Sequence, residues 1–250
     1  GTLSYVPGDE ERLVRAYEGT EDDDDLEAPE ASKLPVTIVT GFLGAGKTTL
    51  LNYILKTEHG KKIVVIENEF GAESIDEGLV KENLREAEEI ISMENGCACC
   101  TVRGDLVRAL TQLKERKAEF DLLVVETTGL ADPAPIIGTF TQSWTIQNHF
   151  RIDGVITLVD CKHVRQHLDE VRPEGTVNEA VQQVAFADRI IVNKTDLVTT
   201  DEKRAVRETI NAINAFAEVI EAQNSIVPIE KLMDMHAFSM ERFEEDIKEY

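Results

Sequence analysis

The chain has 250 residues, 42% of them apolar, which is enough for one large hydrophobic core or two small ones. Its formal charge of −22 opposes any partner held through phosphates by a basic patch, so nucleic-acid binding is excluded as a function class. No apolar run approaches the roughly 20 residues of a membrane-spanning helix and none near the N-terminus marks secretion, so a membrane role is not expected.

In chain order, residues 1–33 contain little that packs. The run Glu21-Asp22-Asp23-Asp24-Asp25 repels itself and predicts an extended, solvated arm, a solubilising tail or a docking segment for a partner. Pro35-Val36-Thr37-Ile38-Val39-Thr40 is β-branched and bounded by Pro and Gly, the pattern of a short buried strand. From Lys47 to His59 the apolar residues Leu50, Leu51, Ile54 and Leu55 recur at helical spacing, and Gly60 supplies a stop. Further strands are predicted at Ile63-Val64-Val65-Ile66, Ile90-Ile91, Leu122-Leu123-Val124-Val125, Val155-Ile156-Thr157-Leu158-Val159 and Ile190-Ile191-Val192, with helical patterns between most of them. This alternation predicts an α/β fold, a mostly parallel sheet with helices on both faces. A charged helix is expected from Met240 to Tyr250.

Gly41-Phe42-Leu43-Gly44-Ala45-Gly46-Lys47-Thr48 fits G-x-x-x-x-G-K-[ST] between a predicted strand and a predicted helix. Such a loop wraps phosphate with main-chain N–H groups at the positive end of the helix, with Thr49 next in line. Lys47 would reach the β- and γ-phosphates, and the Thr48 hydroxyl would bind Mg²⁺. Asn193-Lys194-Thr195-Asp196 follows a strand, where the Asp196 carboxylate could accept from the ring N–H and amine of guanine and so select GTP over ATP. Between them, Glu126 stands at the tip of an apolar strand, where it could hold Mg²⁺ through water or orient an attacking water. Gly129 could offer its N–H to the γ-phosphate. Leu130 then stands where a water-positioning glutamine would be useful, so slow intrinsic hydrolysis is predicted, with Lys47, Thr48 and Glu126 as the catalytic set.

Cys97, Cys99 and Cys100 crowd into one segment. Adjacent Cys99 and Cys100 are badly placed to bridge each other, and a reducing, cytoplasmic setting opposes it, with nucleus and organelles left open. Soft thiolates suit Zn²⁺, and also Cu(I) or Co²⁺, and two or three from one loop leave a tetrahedral ion open to a further ligand, as suits a metal in transit. Glu67-Asn68-Glu69-Phe70-Gly71 follows the second strand and brings carboxylates near the same region. Cys161 reads as a packing residue. His163 and His167 are four apart and could share a helix face, but the pair is not expected to be a site.

The segments GFLGAGKTTLLNYIL, IENEFG, NGCACC, ETTGLADPAPI, DGVITLVD and NKTD, in that order, resemble the CobW-like family of P-loop metallochaperone GTPases, nearest its eukaryotic zinc-chaperone branch. The resemblance runs from about Leu34 to Phe238. It implies a P-loop NTPase fold, with GTP, Mg²⁺ and Zn²⁺ as cofactors and slow GTP hydrolysis timing the transfer of Zn²⁺ to a client metalloprotein such as methionine aminopeptidase. It further implies phosphate contacts from Gly41 to Thr49, guanine contacts from Asn193 to Asp196, and a metal set of Cys97, Cys99 and Cys100 with Glu67. The expected organisation is an acidic arm at 1–33, a GTPase domain at 34–238 and a charged helical tail at 239–250, with the family's C-terminal domain absent from the sequence and a homodimer left open. Two alternatives stay open: insertion of cobalt or iron into another cofactor or enzyme, and a non-enzymatic zinc buffer or sensor that nucleotide merely stabilises.

Overall fold

The computed structural model describes residues 28–67, 89–92, 98–170 and 177–249, with the backbone alone at 92, 98–103 and 249. Most of the acidic arm, Cys97 and the segment from Asn68 to Gly71 therefore lie outside the described residues. Seven strands form one sheet: β1 Leu34–Gly41, β2 Ile63–Glu67, β3 Glu89–Ser92, β4 Leu122–Glu126, β5 Phe150–Asp160, β6 Arg189–Asn193 and β7 Glu218–Glu221. Their order is β3-β2-β4-β1-β5-β6-β7, and every neighbouring pair is parallel.

Successive side chains on a strand point to opposite faces, and the core divides accordingly. Val36 and Ile38 of β1, with Val64, Ile66, Leu123 and Val125, pack against α2 (Ala98–Lys114) through Leu106, Leu110 and Leu113 and against α3 (Ala134–Gln142) through Ile137 and Phe140. The short α4 (Trp144–Gln147) adds Ile146 to this layer. On the opposite face Val39, Ile63, Val65, Leu122 and Val124 meet Leu50, Leu51, Ile54 and Leu55 of α1 (Lys47–Lys56). A third cluster joins β5 and β6 to α5 (Val164–Leu168), α6 (Glu179–Ala185) and α7 (Thr200–Ile213), and Cys161 is buried within it as a packing residue. Burial on both faces explains the near-continuous apolar strand runs in the sequence.

Three elements depart from the expected limits. Helix α1 ends at Lys56 rather than His59, because Thr57 turns to an extended conformation and its N–H and hydroxyl fold back onto the Tyr53 carbonyl. Strand β5 starts five residues before Val155, and its first part is disguised by the polar residues Arg151 and Asp153. The pairing with β1 shifts at Asp153, whose carboxylate, wholly buried, accepts the N–H groups of Met235 and His236. Strand β7 was not foreseen: as an edge strand it is short, half-buried at Val219 and Ile220, and acidic at both ends.

The last helix, α8 (Met240–Glu249), docks on the sheet layer rather than standing apart. Phe243 is buried against Phe186 and Phe238, with ring centroids 5.6 and 6.0 Å away, and Arg242 pairs with Asp188 at the entry to β6. At the other end, the Ala28 N–H donates to Asn148 Oδ1 at 2.5 Å.

Candidate nucleotide site

The strand order puts β1 between β4 and β5, and the chain leaves β1 at Gly41 to form a loop that opens α1 at Lys47. The loop can turn this tightly because Gly46 takes φ +108°, a conformation that L side chains rarely adopt. Lys47 is buried, and its Nζ donates back to the carbonyls of Gly41 at 2.8 Å and Phe42 at 3.3 Å. Ala45 is buried, Thr48 half-buried, and Leu43, Gly44 and Thr49 exposed. Leu43, Gly44, Gly46, Lys47, Thr48 and Thr49 line one open cleft together with Glu126 and Gly129.

Glu126 ends β4 at the tip of the sheet and is 3% exposed. In register beside it, Glu67 ends β2 and is 4% exposed. Side chains at paired positions share a face, here the face that α1 covers. Thr127 closes the corner: its N–H donates to Val39 O and its hydroxyl to Thr40 Oγ1 at 2.9 Å. The next turn approaches the phosphate loop so closely that a Cβ on Gly129 would lie 2.6 Å from Leu43 N. Leu130 is 62% exposed at its apex. The Asp132 carboxyl after it is pushed up by burial, against the Ala134 N–H that it accepts. The hard oxygens of Thr48 and Glu126 lining one cleft with Lys47 fit Mg²⁺ bound to phosphate.

Asn193 ends β6, and its amide does structural work that the motif alone does not reveal. Nδ2 donates to Ala45 O and Ser225 Oγ, both at 2.9 Å, and Oδ1 accepts the Ser225 N–H. Ser225 in turn donates to Gly46 O, so the loop that follows β7 is tied to both the Asn-Lys-Thr-Asp turn and the phosphate loop. Thr195 joins the same loop through two bonds to Ala222 O. Lys194 adopts a left-handed conformation at φ +60° and pairs with Asp160 at 2.8 Å. Burial pushes the Asp160 carboxyl up, but hydrogen bonds from Lys194, His163 and the Lys162 N–H outweigh it and hold it below the usual range. Asp196 stands exposed on the turn Thr195–Leu197.

The metal candidates are placed in part. Cys99 and Cys100 lie in the first turn of α2, and Glu67 is in register with Ser92 of β3, six residues before the start of that helix. Among the described residues, no three His, Cys, Asp or Glu side chains converge as a metal site. His163 precedes α5 and contacts Asp160 at 3.1 Å, and His167 stacks on Phe42 of the phosphate loop, 3.7 Å between centroids. Ser225 and Gln183, both in contact with the site's turns, lie outside every motif of the sequence, while Asp160 closes the DGVITLVD segment without a role assigned to it there. Asn224 and Ser225, both at positive φ, mark a tight loop that an Asn-Ser pair after a strand could have suggested; nothing in the sequence around Gln183 distinguishes it.

These contacts hold a glycine-rich loop in place at the start of a helix, on the central strand of a parallel sheet, and that is the construction of a P-loop nucleotide-binding protein. Residues 35–221 match the CobW/HypB/UreG nucleotide-binding domain, and the chain belongs to that family. It is 38% identical over 216 residues to the zinc-regulated GTPase metalloprotein activator 1 of Schizosaccharomyces pombe, covering 83% of this chain and 50% of that protein. It is 42% identical over 212 residues to the zinc chaperone YjiA of Escherichia coli, covering 83% and 63%. The crystal structure of the Zn(II)-bound YjiA GTPase from E. coli matches with a TM-score of 0.63 and 36% identity, over 83% of this chain and 63% of that one. The chain thus spans between half and just under two thirds of the length of these relatives. Among the described residues, no helix is long and apolar enough to cross a membrane.

Proposed function

We propose that this chain is the GTP-binding and GTP-hydrolysing domain of a zinc metallochaperone that hands Zn²⁺ to a client metalloprotein. The observation that supports this reading is one cleft lined by the phosphate loop and the buried Glu126, with the buried Glu67 in register beside Glu126 at the same end of the sheet. The names of the relatives, a zinc chaperone and a zinc-regulated GTPase metalloprotein activator, support the choice of metal.

In this reading Gly41, Phe42, Leu43, Gly44, Ala45 and Gly46 wrap the phosphates, and Lys47 exchanges its loop carbonyls for the β- and γ-phosphate oxygens. Thr48 and Glu126 hold Mg²⁺. The ion, when bound, neutralises phosphate charge. Glu126 orients the attacking water and Gly129 donates its N–H to the γ-phosphate, while Asn193, Lys194, Thr195 and Asp196 hold guanine. Without a glutamine at Leu130 to position water, hydrolysis is slow until the metal or a client completes the site. Zn²⁺ is cargo held by the thiolates of Cys97, Cys99 and Cys100, a set left open at a fourth position that Glu67 takes until a client ligand displaces it. The client is a zinc-accepting enzyme such as methionine aminopeptidase, met in the cytoplasm, and dimerisation is an option the open metal set leaves.

The test is the double variant Cys99→Ser with Cys100→Ser. A chelator competition should show tight Zn²⁺ binding lost, while fluorescent-nucleotide titration gives a GDP affinity within about twofold of the parent. Zinc affinity unchanged in the double variant would overturn the cargo site.

A further inference from the structure

One buried polar side chain outside the motifs reaches the turn that faces the phosphates. Gln183 of α6 is 1% exposed. Its Nε2 donates to the Gly129 carbonyl at 3.3 Å and the Ala131 carbonyl at 3.0 Å. Its own main-chain carbonyl accepts the Thr157 hydroxyl at 2.5 Å, on the strand next to β1.

The same turn is closed from within by the Ala131 N–H on the Thr128 carbonyl, at 3.1 Å. In a trans peptide the N–H and C=O point in opposite directions, and no peptide here is cis. Holding the Thr128 carbonyl therefore aims the Gly129 N–H, and holding the Gly129 carbonyl aims the Leu130 N–H. Both are turned away from the groups that hold the carbonyls, on a turn whose Gly129 lines the phosphate cleft.

A post must itself be fixed, and α6 is. Asn178 caps its start with its side-chain oxygen on the N–H groups of Ala180 and Val181, and its Nδ2 donates to His167 O at the end of α5. At the far end Asn214 Nδ2 donates to the carbonyls of Val184, Ala185 and Ala187. An anchored helix with a buried amide bonded to two carbonyls of one turn has the form of a fixed support for that turn.

We propose that Gln183 is a positioning residue that sets the Thr128–Ala131 turn to receive the terminal phosphate of a nucleoside triphosphate, and so makes the site discriminate tri- from diphosphate. This rests on the reading of the chain as a GTPase. A diphosphate ends before the turn and gains nothing from Gln183; a triphosphate meets N–H donors already aimed, with no ordering cost at binding.

The test is Gln183→Met, which keeps length and apolar stem and removes both donors. GDP affinity, affinity for a non-hydrolysable GTP analogue with Mg²⁺, single-turnover GTP hydrolysis and thermal unfolding with GDP are measured on variant and parent. The expected result is GDP affinity within about twofold and unfolding nearly unchanged, with the analogue bound about tenfold more weakly and hydrolysis at least about tenfold slower. Gln183→Glu, which sets an acceptor against two carbonyls, should show the same pattern more strongly. A parent-like ratio of analogue to GDP affinity with a parent-like rate would overturn the proposal, as would an equal loss of both nucleotides, the sign of a purely structural role. A parent protein that binds neither nucleotide would overturn the GTPase reading with it, a result distinct from either.

Discussion

At Gly46 the sequence motif and the structure give two different reasons for one glycine. The motif requires a loop that bends around phosphate. The structure adds that a Cβ there would stand 2.5 Å from Asn193 Nδ2 and 2.6 Å from Ser225 Oγ. Neither neighbour can yield, because both are buried and bonded to each other and to the loop. Gly46→Ala therefore combines a left-handed backbone with overpacking, and should cost about 2–4 kcal/mol of stability, read by urea unfolding of the nucleotide-free protein. Because the clash sits between the phosphate loop and the Asn-Lys-Thr-Asp turn, nucleotide affinity should fall by at least about 100-fold. An alanine variant that binds GDP like the parent would show that the loop adjusts elsewhere. At this scale the glycines, Lys47, Thr48 and Asn193 were legible because their spacing is rigid. The tether at Ser225 and the support at Gln183 were not, since each works through contacts with residues 32 to 179 positions away.

Elements were legible where burial is two-sided and uniform. Strands β2, β4 and β6 are buried throughout and read directly as apolar runs, whereas β7 carries Glu218 and Glu221 and the first part of β5 carries Arg151 and Asp153, charges that only their tertiary partners explain. The charged pattern of α8 predicts a helix but says nothing of its dock, because Arg242 finds Asp188 54 residues away. Burial pushes the Asp188 carboxyl up to about 6, against the Val155 N–H and Arg242, which favour its charged form. Its ordinary value is 3.8. Between these values the folded protein holds a proton that the unfolded chain has released, so this group's contribution to stability is complete below pH 4, falls as pH rises to about 6, and is flat above. The span corresponds to roughly 3 kcal/mol. Asp188→Asn should remove that slope, visible as a difference between variant and parent unfolding curves from pH 4 to 6; a slope equal in both would place the titration elsewhere.

Across the whole molecule, the sequence supplied the alternation of strands and helices but not the order of the strands. Order depends on which crossover each helix takes, and helix faces of similar apolarity do not encode it. In the proposed function that order matters, because it sets how far the phosphate cleft lies from the strand that leads toward the cysteines. Glu126, Glu67 and Ser92 lie in one row across β4, β2 and β3, and at about 5 Å per strand the row spans about 10 Å. The γ-phosphate end of the cleft and the chain that leads to Cys99 and Cys100 are thus two strands apart, with β2 between them. A triphosphate that orders the strand tips would present Glu67 to the metal, and a diphosphate would not. Coupling of this kind is reciprocal: if a non-hydrolysable GTP analogue tightens Zn²⁺ binding tenfold relative to GDP, about 1.4 kcal/mol, then Zn²⁺ must tighten the analogue by the same factor. Chelator competition in each nucleotide state and nucleotide titration with and without Zn²⁺ measure the two sides of this cycle. If Glu67 belongs to the metal set proposed above, Glu67→Gln should shrink both factors together while leaving GDP affinity unchanged, since it removes the carboxylate by which β2 would reach the metal. Equal zinc affinities in both nucleotide states would mean that β2 does not transmit the phosphate's presence and that the zinc site is passive.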